Sequence, residues 1–169
     1  MTLTQLLPTL RSSIPDPLTI DLWPEYTVST ATDVTVAGVS MVELSHWCGT
    51  PCVHTAAAVI PGTHGRPSAT EICSVVVASV AEVRRDGHPR VVLDADLERC
   101  GAIESEARLI GRLSHARGIA AWVREGSDPA ILPEDIRVGD LVAIPCHHTA
   151  RLGDVRIAFD DHPVAHCGR

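Results

Sequence analysis

The sequence predicts a mainly β fold: a small closed or nearly closed β-barrel with a short N-terminal helix. Two observations carry this reading. The apolar residues are alanine and valine far more than aromatics, of which there are three Trp, one Tyr and one Phe, and small β-branched residues suit pleated surfaces better than long helices. Six or more short apolar runs also follow one another with turn signals between them, the pattern of a sandwich or barrel. At 169 residues the chain is long enough for one domain with a core of its own. It shows no internal repeat and no long linker.

Taken in order, residues 1 to 20 carry Leu6, Leu7 and Leu10 and then the breakers Pro15 and Pro17. They read as a short helix with an extended lead-in, or as a loosely held terminus. Val34 to Leu44 alternates around Ala37-Gly38 and reads as a strand. Residues 61 to 67 form a Gly- and Pro-rich loop. Glu71 to Val83, with Val75, Val76, Val77 and Val80, reads as a buried strand. Asp86-Gly87 is a hairpin signal, and Arg90 to Ala95 is the returning strand. Ile103, Ala107, Ile110 and Leu113 repeat at helical spacing over residues 102 to 117. Gly118 to Arg124 alternates as a strand, and Asp128 to Glu134 is a Pro-containing loop. A short apolar strand, Leu141 to Ile144, follows the Gly139-Asp140 turn. Asp154 to Phe159 is read as a last strand with Val155, Ile157 and Phe159 on one face.

Composition excludes several functions. The formal charge is −7 and the basic residues are scattered, so nucleic acid is not an expected partner. No apolar run reaches the twenty or so residues of a membrane span, and the N-terminus has no leader pattern. A cytoplasmic protein is therefore expected, with its six cysteines mostly reduced. There is no lysine; all 14 basic residues are arginine. No Schiff base can form on this chain, with a carbonyl substrate or with pyridoxal phosphate.

Two segments carry metal-capable side chains. His46-Trp-Cys48-Gly-Thr-Pro-Cys52-Val-His54 would present four imidazole and thiol donors to one ion if Gly49-Thr50-Pro51 were a hairpin turn. The plain alternative is small buried cysteines in a strand-loop-strand. The second segment is the strand end Pro145-Cys146-His147-His148-Thr149. Alternation puts Cys146 and His148 on the face opposite His147, so all three cannot easily bind one ion. His162, His166 and Cys167 in the tail are the further candidate ligands. The plain alternative is a strand leaving the core through a polar exit loop. Asp94, Asp96 and His148 are the candidate acid–base groups, with Glu98 beside them.

Five fragments in order resemble the C-terminal β-domain of the fold-type III pyridoxal-phosphate enzymes. The branch they resemble is the metal-dependent D-serine dehydratases and D-threonine aldolases. They are Val75-Val-Val-Ala-Ser-Val-Ala81, Val92-Leu-Asp-Ala95, Arg112-Leu-Ser-His-Ala-Arg-Gly118, Val138-Gly-Asp-Leu-Val-Ala-Ile-Pro-Cys-His147 and Pro163-Val-Ala-His-Cys-Gly-Arg169. The resemblance covers residues 70 to 169 and extends toward residue 38, which sets a domain at 38–169 behind an N-terminal extension at 1–37. It implies an alanine-racemase-type small barrel. It lowers the helix reading of 107 to 116, because the Arg-Leu-Ser run there enters a turn from a strand. It also gives His147 a precedent as a metal ligand.

The departures matter equally. The family's catalytic barrel, with its cofactor lysine, has no counterpart here, so the chain resembles the small domain alone. Thr149 stands where the family places a metal-binding cysteine, and Asp96-Leu-Glu-Arg99 replaces a segment with Gly and Lys. The expected function is therefore a zinc-dependent lyase without pyridoxal phosphate. It would act on a small polar hydroxy- or amino-acid-like substrate by elimination, hydration or carbon–carbon cleavage. The competing expectation is a non-catalytic metal- or ligand-binding module, or the split partner of a separate barrel subunit. A homo-oligomer is compatible with either.

Overall fold

The computed structural model describes residue 15 and residues 17–157. The helix expected around Leu6, Leu7 and Leu10 lies outside the described residues, as do His162, His166 and Cys167.

The fold is organised by one long strand, β5 (Pro67–Arg84). From Cys73 to Ala78 every residue of β5 is buried, as expected of a strand covered on both faces. β4 (Cys52–Val59) pairs with it antiparallel on one side, β10 (Leu141–Pro145) on the other, and β7 (Arg108–Ile110) continues beyond β10. The register sets Cys52 against Val77, His54 against Val75, and Pro145 against Val75. β6 (Arg90–Leu93) returns along the far half of β5, as the Asp86-Gly87 turn predicts.

Alternation along β5 divides the interior in two. Val75 and Val77 pack with Trp23, Val34, Val36, Met41, Cys52 and Ile110. Val76, Ala78 and Val80 face the other way, into a core with Leu93, Leu132, Ile144 and Cys146. Tertiary burial on both faces, rather than one enclosed lumen, thus holds the sheet.

Around this sheet lie two smaller ones. β1 (Val28–Ser29), β2 (Val34–Val36) and β3 (Val39–Ser40) make a three-stranded sheet; β8 (Gly118–Ala121) and β9 (Ala130–Pro133) make a two-stranded one. The mainly β expectation holds, but the sheets are not closed into a barrel: the described strands form separate sheets of three, five and two strands.

Four local expectations are corrected. The strand read through Leu44 stops at Ser40, and helix α1 (Met41–Cys48) follows. Ser40 caps it by accepting from Glu43 N at 3.1 Å, and Asp33 accepts from Val42 N at 3.2 Å. The Ser40-x-x-Glu43 spacing is itself a helix-start signal that alternation concealed. Residues 102 to 117 hold a 3-10 turn at Glu104–Glu106 and then β7, not a helix. Residues 128 to 134 are not all loop, because Ala130–Pro133 pairs with Gly118–Ala121. The last expected strand, Asp154 to Phe159, begins instead inside the short helix α2 (Leu152–Val155), with Val155 buried in the core; Arg156 makes an isolated bridge to Ala95, and Ala158 and Phe159 lie outside the described residues.

Candidate functional site at the end of strand β10

β10 leaves the core at Pro145. Cys146 N still bonds Ser74 O at 2.8 Å, and His147 N bonds Gly101 O at 2.9 Å. The main chain is therefore held through His147. The side chains part company at this point. Cys146 is buried at 1% exposure, whereas His147, His148 and Thr149 are exposed. The expected sharing of a face by Cys146 and His148 is not observed, because the regular strand ends at Pro145.

His148 lies over Gly101. A Cβ added at Gly101 would come within 2.2 Å of its Cε1, and the glycine's φ is +64°. Glycine suits this left-handed backbone, and a side chain there would have to push the exposed imidazole aside. Downstream, Ala150 N bonds Ser74 Oγ at 2.9 Å and Arg151 N bonds Asp154 Oδ2 at 2.8 Å. The two imidazoles thus project from a segment anchored on both sides.

The hairpin expected at residues 46 to 54 is not formed. His46 and Cys48 ride on α1 and are exposed; the chain then turns through a cis Thr50-Pro51 peptide, and Cys52 enters β4 as a buried residue. Burial pushes the Cys52 thiol up to about 11, with the charges of Cys48 and Asp94 adding to it. Such a thiol is a core residue rather than a ready thiolate ligand. His54 keeps a buried Nε2 without a hydrogen-bond partner among the described residues.

Asp94 and Asp96, the expected bases, both hold backbone. Asp94 accepts from Ser79 N at 2.7 Å and from Thr50 Oγ1 at 2.6 Å. Asp96 accepts from Glu98 N at 2.9 Å. Asp96 also lines a shallow cleft of about 190 Å³ with Glu98 and Arg124. A second cleft of about 240 Å³ is lined by Thr30, Glu106, Arg108, Arg112, Ser114 and Ile131. Neither cleft includes His147 or His148.

Zinc is the metal the resemblance implies. Among the described residues no group of three or more His, Cys, Asp or Glu side chains stands together to hold an ion. The described residues therefore do not fit a self-contained zinc site, which needs at least three protein donors. Nor does the chain offer the lysine that pyridoxal phosphate requires. No helix among the described residues is long and apolar enough to cross a membrane.

Two features escaped the reading of the sequence. One is Cys100, fully buried and neighbour to Cys146 in the core. The other is the ionic cluster of Arg112, Asp135 and Asp140, in which Arg112 Nε bonds Asp140 Oδ1 at 2.7 Å and Ser114 Oγ bonds Asp135 Oδ1 at 2.6 Å. The Arg112-Leu-Ser and Val138-Gly-Asp fragments were visible as separate motifs, but nothing in their spacing shows that they meet.

No family model matches the sequence, and no curated protein matches it. Among solved structures, the chain is similar to an arginine decarboxylase of Paramecium bursaria Chlorella virus at 17% identity and a TM-score of 0.34. The match covers 50% of this chain and 28% of that one, so the chain spans well under two thirds of that protein's length. A likeness of this size bears on neither fold assignment nor function.

Proposed function

We propose that the chain is an accessory β-domain that lends the His147–His148 strand end to a site completed by a separate subunit. The proposed partner is a barrel protein bearing the pyridoxal-phosphate lysine, as in the D-serine dehydratase and D-threonine aldolase branch that the sequence resembles. One observation supports this reading above the others. Two exposed imidazoles stand on an anchored strand end with no third donor beside them among the described residues. Ligands on rigid elements suit a shared site, because their position survives assembly.

The alternative, a zinc lyase complete in itself that acts on a small polar substrate, asks for a base near the imidazoles. Asp94 and Asp96 are bonded to backbone instead, which favours the accessory role. The two readings separate by assay. The purified full chain, supplied with zinc, is offered D-serine and D-threonine. The accessory reading expects no turnover. Turnover that His147→Ala abolishes would establish the self-contained lyase instead.

A further inference from the structure

We propose that β4 pairs antiparallel, edge to edge, with β4 of a second copy of this chain, about a two-fold axis at His54. β4 is the outer strand of the five-stranded sheet and pairs only with β5. One end of its outer edge is covered. Glu25 N donates to Ala57 O at 2.8 Å, and Ala57 N donates to Glu25 Oε1 at 3.4 Å. The chain then turns away at Tyr26, whose φ of +50° is uncommon for a bulky residue. Thr27 Oγ1 closes that turn by donating to Pro24 O at 2.6 Å. Alternation puts the N–H and C=O groups of Thr55 and Val53 on the same outer edge as those of Ala57. Among the described residues these groups have no partner.

This edge is unguarded. Sheet edges are commonly blunted by charge, proline or a bulge. β4 contains no Asp, Glu, Lys, Arg or Pro, and its register shift falls after Ala57, beyond the open stretch. Unpaired main-chain groups in a row accept another extended strand, and the symmetry of this edge selects a second copy. With the axis at His54, Val53 of each chain faces Thr55 of the other, and each such pair exchanges both of its N–H···O bonds. No like charges meet across the axis, because the strand has none. Ala57, already held by Glu25, comes opposite Pro51, which has no N–H to leave stranded. The same rotation carries the Tyr26 turn of each chain toward the end of α1 in the other, where Trp47 stands. Tyr26 is 69% exposed and Trp47 82%, so two aromatic surfaces that the single chain leaves in water cover each other in the pair.

β4 and β10 flank opposite sides of β5, so this surface does not depend on what His147 and His148 bind. The test is sedimentation of the purified full chain at rising concentration, with hydrogen exchange of the β4 amides read on the same samples. The expected result is a reversible shift toward twice the mass of one chain. In step with it, the Val53 and Thr55 amides should slow by about tenfold or more. Thr55→Pro removes a donor that β5 does not use, and Trp47→Ser trims the exposed aromatic; each should return the chain to single mass. A single mass at every concentration overturns the proposal. So does a dimer that both variants leave intact, since it uses another surface. So does protection of Val53 and Thr55 that appears only when a different protein is added. Trp47→Ser and the exchange of the unsubstituted chain decide even where Thr55→Pro fails to fold.

Discussion

Arg112 grips Asp140 at two points, Nε to Oδ1 and Nη2 to Oδ2, both at 2.7 Å. The same guanidinium reaches the Asp135 carboxylate at 3.2 Å and the Asp135 carbonyl at 2.9 Å. Asp140 also accepts from Arg137 N at 3.0 Å, so it fixes the turn that launches β10. The strand end that carries His147 is therefore aimed by an ion pair at its opposite end. An arginine fork suits this task because it is planar and bidentate; a lysine would be a poor substitute.

Removing that fork leaves the Asp140 carboxylate, 6% exposed, with only the more distant Arg137 Nε at 3.8 Å as counter-charge. Arg112→Ala should cost about 3 kcal/mol, the range of a broken buried pair, read as a lower urea midpoint. A loss below about 1 kcal/mol would mean that water or Arg137 replaces the guanidinium. The acid limb should change as well. Burial pushes the Asp135 pKa up, but hydrogen bonds from Ser114 and Arg112 more than offset it and hold the carboxyl below its usual value of 3.8. A depressed folded value contributes stability above the unfolded one, and this is lost as pH falls below about 4. In Arg112→Ala this acid-side loss should be shallower.

Asp94→Ala should destabilise the chain by about 1 kcal/mol, because the half-buried Ser79 N–H loses its acceptor. Asp94→Asn keeps an oxygen for that N–H and should cost less. Equal losses for both variants in urea unfolding would show that the charge, not the hydrogen bond, matters at this position.

The alkaline limb reports the thiols. Burial pushes Cys52 and Cys73 up to about 11 from an ordinary 9.0. Their contribution is complete below pH 9 and is lost as pH rises toward 11, since the unfolded thiols ionise first. With no lysine in the chain, no amine side chain titrates across that window. Urea midpoints should fall between pH 9 and 11, and should fall less in a Cys52→Ala, Cys73→Ala double variant. An unchanged slope in the double variant would place the titration elsewhere.

Legibility in the sequence followed the length over which a signal is repeated. The valines of β5 and the apolar run Leu141 to Ile144 sit where alternation and burial both point, so these strands were readable. The α1 start was also written in the chain, as Ser40 and Glu43, but Val39 to Leu44 alternates just as a strand does. Two local rules competed, and the cap prevailed. β9 was hidden by Pro129 and Pro133, which are tolerated because they stand before the strand and at its end. The donor-rich segment at 46 to 54 misled for a different reason. Its spacing is symmetric, but symmetry in sequence says nothing about a helix ending beside a strand. The pairing of Arg112 with Asp140 depends on tertiary contact and has no local signature.

The most direct test of the accessory-domain account is to recover the tagged full chain from the cells that naturally make it and to identify its stable partners by mass spectrometry. The account predicts a stoichiometric barrel protein with a lysine-bound pyridoxal phosphate, lost when His147 and His148 are both replaced by alanine while folding is retained. A monodisperse chain that is recovered alone and is catalytically active in that state would contradict it.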